Sequence, residues 1–165
     1  MSRDARVHMR PMREREFQPY LDASLEEYAA FVARNHAISL GAARARAATS
    51  TAEMLPDGLR SRGHRFWVAE LDAGEHVGEL WLGFRRIDEV DVVWVYDVRV
   101  DEELRGRGYG RQIMEAADGL AREMGGERLG LNVFGDNPVA RHLYESIGYV
   151  EISRQMRKEV APRAT

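Results

Sequence analysis

Gly106, Gly108 and Gly110 stand among Arg105, Arg107 and Arg111, directly after a run from Val92 to Val100 dense in valine, tryptophan and tyrosine. The run reads as a buried strand. After the glycines, Ile113, Ala117, Leu120, Ala121 and Met124 recur at helical spacing on one face. A strand, a glycine-rich turn and a helix start make an anion site. The first N–H groups of the helix have no internal partner, and the macrodipole adds partial positive charge there. Glycines let a phosphate approach without Cβ clashes, and the arginines add charge-assisted donors. The expected ligand is therefore a diphosphate. A dinucleotide fingerprint needs G-x-G-x-x-G, whereas these glycines read G-x-G-x-G, followed by Arg111. A P-loop needs Gly-Lys followed by Ser or Thr, and that is absent.

Other chemistries find less support. There is no cysteine, hence no thiolate nucleophile and no disulfide framework. His8, His36, His64, His76 and His142 are scattered without zinc spacing, so each is expected as a surface or packed histidine, and no metal is expected. A formal net charge of −3 offers no global attraction to nucleic acid or an anionic membrane. No apolar run approaches the roughly 18 residues of a membrane span, and no signal-peptide pattern opens the chain. The expectation is a soluble, cytoplasmic protein.

The elements that must position these residues follow from periodicity. Val7 to Met12 is a short strand that Pro11 should end or place at an edge. Arg3, Arg6, Arg10, Arg13 and Arg15 interleave with acidic residues, which favours a solvated face over a basic arm. From Glu14 to about His36, Phe17, Tyr20, Leu21, Leu25, Tyr28, Phe31 and Val32 mark one amphipathic helix, with a kink expected near Pro19. Ser39 caps a second helix running through Leu55, stopped by Pro56-Asp57-Gly58. This helix pair, 14–55, is expected to form a wall of a substrate pocket. Arg65 to Leu71 and His76 to Phe84 read as a hairpin turning at Asp72-Ala73-Gly74-Glu75. Ile87 to Asp91 reads as a polar connection into the central strand. Beyond the long helix, Gly125-Gly126 is a helix stop and Leu129 to Phe134 the next strand. Asn137 and Pro138 open a short helix, with Ala140, Leu143, Tyr144 and Ile147 on one face, that ends at Gly148. Tyr149 to about Lys158 reads as a last strand, and the tail beyond as frayed. With 165 residues and no composition break, one mixed α/β domain is expected. Its two central strands should be parallel, joined by a right-handed helical crossover.

Arg105 to Gly110 reads R-x-x-G-x-G. This resembles the acetyl-CoA signature of the GCN5-related N-acetyltransferase (GNAT) family, Q/R-x-x-G-x-G/A. Asn137, Ala140, Leu143-Tyr144 and Gly148-Tyr149 resemble the family's later motif, N-x-x-A-x-x-L-Y-x-x-x-G-F/Y, at every named position. The resemblance covers Arg65 to Arg157, an acetyl-CoA-binding core, and implies a GNAT-type α/β fold with helices on both faces of a mixed sheet. It also implies an acyltransferase using acetyl-CoA as co-substrate, without a metal. Carried over by position, Val98 and Val100 offer main-chain groups to the pantetheine, like an added strand. Arg105, Gly106, Arg107, Gly108, Gly110 and Arg111 wrap the pyrophosphate. Asn137 sits near the pantetheine as well as capping its helix, and Arg141 reaches toward the phosphates or is simply solvated. Tyr144 is the family's usual proton donor to the leaving thiolate; its other reading is a core tyrosine.

Acetyl transfer to an amine needs a neutral nucleophile. An alkylamine has a pKa around 10, so something must take its proton at neutral pH. The leaving thiol, at about 8.5, needs less help. The Val98 N–H would stabilise charge on the carbonyl oxygen. Many relatives carry a glutamate on the central strand or at the position of Asn132, where this chain has Trp94 and Asn132. The base is then Asp97, Glu79 or a relay of water; against Asp97 stands an ion pair with Arg99, two residues on and on the same strand face. Trp67, Trp81 and Trp94 line the pocket or belong to core or interface. Two functions fit: N-acetyl transfer to a small-molecule amine or a protein acceptor, or a non-catalytic CoA-binding module that kept the cradle and lost the chemistry. A homodimer is compatible with either.

Overall fold

The computed structural model describes residues 5–36, 38–158 and 160. Two compact units divide the chain, Met1–Asn132 and Val133–Thr165. The first is built on a five-stranded sheet in the order β1-β2-β3-β4-β5. Its strands are β1 His8–Pro11, β2 His64–Glu70, β3 His76–Ile87, β4 Val90–Val100 and β5 Leu129–Leu131. Neighbours from β1 to β4 are antiparallel and β5 is parallel to β4, which is the mixed sheet expected. Pro11 ends the edge strand β1, where a missing N–H costs no ladder bond. Arg10 of that strand bonds Glu16 and Glu70, at 2.8 and 2.7 Å, so it belongs to an ion-pair network. Arg3 lies outside the described residues.

Helix α1 spans Glu14–His36 and continues through Pro19. Ser39 accepts from the Ala42 N–H at 3.1 Å and opens α2, Leu40–Met54. Ala43 and Ala47 of α2 bury against Ala29 and Val32 of α1, small side chains that let the two helices approach closely. On the sheet, Phe66, Val68 and Trp81 pack with Phe17 and Tyr20 of α1. Helix α3, Tyr109–Glu123, covers the opposite face. Trp67 of β2 lines a cavity there with Leu120 of α3 and Met124, the C-cap of that helix. At the end of α3, a Cβ on Gly126 would fall 2.3 Å from Val93 of β4. Helices therefore lie on both faces, and α3 is the crossover from β4 to β5.

Three expected stretches change. The connection Ile87 to Asp91 is a tight hairpin: β3 runs to Ile87, β4 starts at Val90, and Asp88 and Glu89 turn at φ of 46° and 66°. Two positive φ values make the mirror-image turn that suits twisted strands, and no glycine announces it. The strand expected over Leu129 to Phe134 stops at Leu131. In the second unit, α4 spans Pro138–Ser146, with the Asn137 side chain accepting from the Ala140 N–H at 3.0 Å. The last strand expected from Tyr149 to Lys158 does not form, and Val150, Ile152 and Met156 are exposed. Alternating β-formers make a strand only where a neighbour completes the ladder.

Candidate active site

The site begins with a fault in β4. Trp81 of β3 pairs with Asp97, but the next residue, Leu82, pairs with Val95, so Tyr96 is an extra residue in β4. Strict alternation would put Asp97 on the α3 side with Val93 and Val95. The bulge turns it over. Tyr96 stacks on Trp81, with ring centroids 4.9 Å apart, while Asp97 reaches α1. There its Oδ2 accepts from Tyr20 at 3.0 Å and from Ser24 at 2.8 Å. Burial pushes the Asp97 carboxyl up to about 6, against the two hydroxyls and nearby Arg99, which favour the charged form. Burial, then the Asp97 charge, drives the Tyr20 phenol well above its ordinary value, so it remains a donor. Arg99 does not pair with Asp97 as the sequence suggests; it donates to Glu27 of α1 at 2.8 Å. Glu79 lies 3.1 Å from His76, which also contacts Asp101 at 2.8 Å, and the two carboxylates raise His76 to about 9.

Beyond the bulge the edge of β4 is open. β5 pairs only with Val93–Val95, and among the described residues no other strand flanks β4 beyond that point. The Asp101 N–H donates back to Val77. In an antiparallel ladder, inward and outward backbone groups alternate. The N–H and C=O groups of Val98 and Val100 therefore face the open edge. Arg105 already occupies the Val100 carbonyl, at 3.0 Å. The turn from β4 into α3 is held by its own arginines: besides Arg105, Arg107 donates to the Glu103 carbonyl at 3.0 Å. Gly106 and Gly108 have φ of 75° and 87°, and a Cβ on either would meet nothing within 4 Å. Open space over left-handed glycines at a helix start fits a diphosphate group. Arg111, in the first turn of α3, lies 3.9 Å from Glu115.

In the second unit, Asn137 is the N-cap of α4, and Arg141 lies 3.9 Å from Glu145. Tyr144 is half-buried and tilts against Tyr149, with ring centroids 5.7 Å apart. The sequence profile of the acetyltransferase (GNAT) family matches residues 10–149. The chain belongs to this GNAT family. An uncharacterised N-acetyltransferase of Bacillus subtilis, YdgE, is 31% identical over 149 residues, covering 90% of this chain and 95% of its own. A second B. subtilis protein, YycN, is 31% identical over 154 residues, covering 93% and 99%. Its crystal structure, that of a putative acetyltransferase, superposes with a TM-score of 0.86 over 94% of this chain and 99% of that one. The protein AAC(6′)-Iy, solved with the bisubstrate analogue CoA-S-monomethyl-acetylneamine, shares the fold at a TM-score of 0.58 and 16% identity, with coverage of 96% and 100%.

This GNAT chain is thus an acyltransferase of the N-acetyltransferase type. Within its first unit, Asp97, Val98, Val100 and the Arg105–Arg111 turn are consecutive along β4 and the start of α3. Two residues were missed from sequence: Tyr20 and Ser24. A serine interrupting the apolar stripe of α1, one turn after Tyr20, was the available signal. Trp67 and Trp81 are core residues, and Trp94 lies under the Arg85 guanidinium, 4.5 Å from its ring centroid. Among the described residues no helix is long and apolar enough to cross a membrane, and no group of acidic and histidine side chains gathers as a metal site.

Proposed function

We propose that the chain acts as one domain that transfers the acetyl group of acetyl-CoA to a primary amine of a small molecule or protein by direct attack. Acetyl-CoA supplies the activated acyl group and a thiol leaving group. The observation that carries the reading is the bulge in β4. One backbone irregularity, next to the open strand edge at Val98, turns a carboxylate of near-neutral pKa to the neighbouring face. The open N–H and C=O of Val98 and the N–H of Val100 bind the pantetheine as an added strand, and the Val98 N–H stabilises charge growing on the acetyl oxygen. Gly106, Gly108 and Gly110, with Arg105, Arg107 and Arg111, receive the pyrophosphate; Asn137 and Arg141 are the second unit's own candidates for cofactor contacts. A protein of the same fold solved with a CoA bisubstrate analogue supports CoA as the carrier of the acyl group.

Asp97 takes the amine proton as the N–C bond forms. With its carboxyl near 6 it is mostly ionised at pH 7 yet still basic enough to matter. As the C–S bond breaks, Tyr144 gives its phenol proton to the thiolate; the phenolate regains a proton from water, and Asp97 releases the amine proton to water. Helix α1, whose Tyr20, Ser24 and Glu27 face the end of β4, forms one wall of the acceptor pocket. Purified protein mixed with acetyl-CoA and a panel of alkylamines, polyamines and peptides with free amino groups should release free thiol in an acceptor-dependent way. Binding of acetyl-CoA without thiol release from any amine would favour the CoA-binding module, to which the absence of glutamate at Trp94 and Asn132 also speaks.

A further inference from the structure

We infer that Tyr20 and Ser24 of α1 are positioning residues for Asp97: their hydroxyls converge on one carboxylate oxygen and leave the other free to exchange the amine proton. The inference rests on the reading of Asp97 as the base. Both donors meet Oδ2, at 3.0 and 2.8 Å, while Oδ1 accepts no hydrogen bond among the described residues. Tyr20 and Ser24 are four residues apart and so lie on one face of α1. Tyr20 is only 4% exposed, its ring set edge-on to Phe66 at 6.2 Å, so its hydroxyl has little freedom to leave. An ordinary buried carboxylate would share its donors between both oxygens. Here the two-on-one arrangement fixes the plane of the carboxyl and settles which oxygen keeps an open lone pair.

The surrounding charges are Glu27 of α1, Arg99 of β4 and Glu79 of β3. Glu27 and Arg99 neutralise each other at 2.8 Å, and Glu79 is engaged by His76 at 3.1 Å. The uncharged hydroxyls are thus the closest partners of the Asp97 carboxylate, and they favour its ionised form. Removing either must push the carboxyl upward. A group that merely filled space between α1 and β4 would leave the titration where it was.

The test follows the Asp97 carboxyl carbon by NMR through a pH titration, its signal assigned by its loss in D97N. Wild type should titrate near pH 6. Ser24→Ala and Tyr20→Phe should each move the midpoint up by about one pH unit, the loss of one hydrogen bond to a charged group. Ser24→Thr, which keeps a hydroxyl, should restore it. With an amine from the acceptor panel, the acidic limb of kcat/KM should shift with the NMR midpoint, while KM for acetyl-CoA stays unchanged. If D97N loses that limb but neither hydroxyl variant moves the midpoint, the positioning role is overturned and the base stands. If D97N keeps the wild-type profile, the base falls and the positioning role falls with it.

Discussion

At the scale of single residues, the proposed transfer moves two protons and assigns them to Asp97 and Tyr144. Asp97 owes its basicity to burial and its orientation to two hydroxyls on α1. Tyr144 stands on α4 in the second unit, on the helix face shared with Ala140, Leu143 and Ile147, where each is half-buried. Tyr144→Phe keeps the ring and its tilt on Tyr149 while deleting only the hydroxyl. The expected outcome is a fall in kcat of roughly 10²-fold, the scale of losing a general acid. Acetyl-CoA affinity, measured by calorimetry, should hold. A fully active Phe variant across the pH range would return Tyr144 to a packing role.

At the scale of elements, β4 and the start of α3 carry the cofactor reading. Gly108 is the N-cap of α3 at φ of 87°, a conformation that L side chains rarely adopt, and nothing lies within 4 Å of the Cβ it lacks. Gly108→Val therefore costs the backbone about 1–2 kcal/mol without a steric clash in the free protein. It also projects a side chain into the space a pyrophosphate would take. Acetyl-CoA affinity should fall at least tenfold, or about 1.4 kcal/mol. The melting temperature should drop by only a few degrees for a chain of this length. A folded variant with wild-type affinity would remove the cradle. The bulge is the complementary device, because one inserted residue reverses the direction of Asp97 just beyond the last pair with β5.

At the scale of the whole molecule, stability should depend on pH in three separable steps. Glu16, held down to about 2 by Arg10, contributes stability above its unfolded value of 4.5 that is lost as pH falls toward 2. Asp97, raised from 3.8 to about 6, works in the opposite sense: folding is favoured with the proton on, and that contribution disappears between about pH 4 and 6. His76, raised from 6.5 to about 9, stabilises below 6.5 and ceases to do so as pH rises through 9. The melting temperature should therefore decline from mildly acidic toward alkaline pH. Asp97→Asn should flatten the decline below pH 6. His76→Asn should flatten the alkaline part by about 1 kcal/mol at most, since His76 is 42% exposed and its ion pairs are screened. A wild-type curve that is level from pH 4 to 9 would remove both assignments.

What the sequence determined by itself is local. Apolar residues at three- and four-residue steps bounded α1 to Glu14–His36, Ser39 and Asn137 capped the helices they were expected to cap, and Gly125 stopped α3 at φ of 89°. These outcomes depend on side chains within a turn of one another, so they can be read along the chain. The R-x-x-G-x-G turn and the N-x-x-A-x-x-L-Y stretch were legible for the same reason. The tertiary structure alone decided the rest. Whether Asp97 faces α1 or α3 depends on a register shift against β3, and nothing in Val-Tyr-Asp-Val marks it. Tyr20 and Ser24 meet Asp97 across 77 and 73 residues of chain, and Arg99 finds Glu27 across 72, displacing the ion pair with Asp97 that proximity suggested. Val150 and Ile152 have β propensity, but a strand is a property of two segments, and this stretch forms none. Pairing, register and the choice of a charged partner are settled by what lies across the fold, and distance along the sequence carries no record of it.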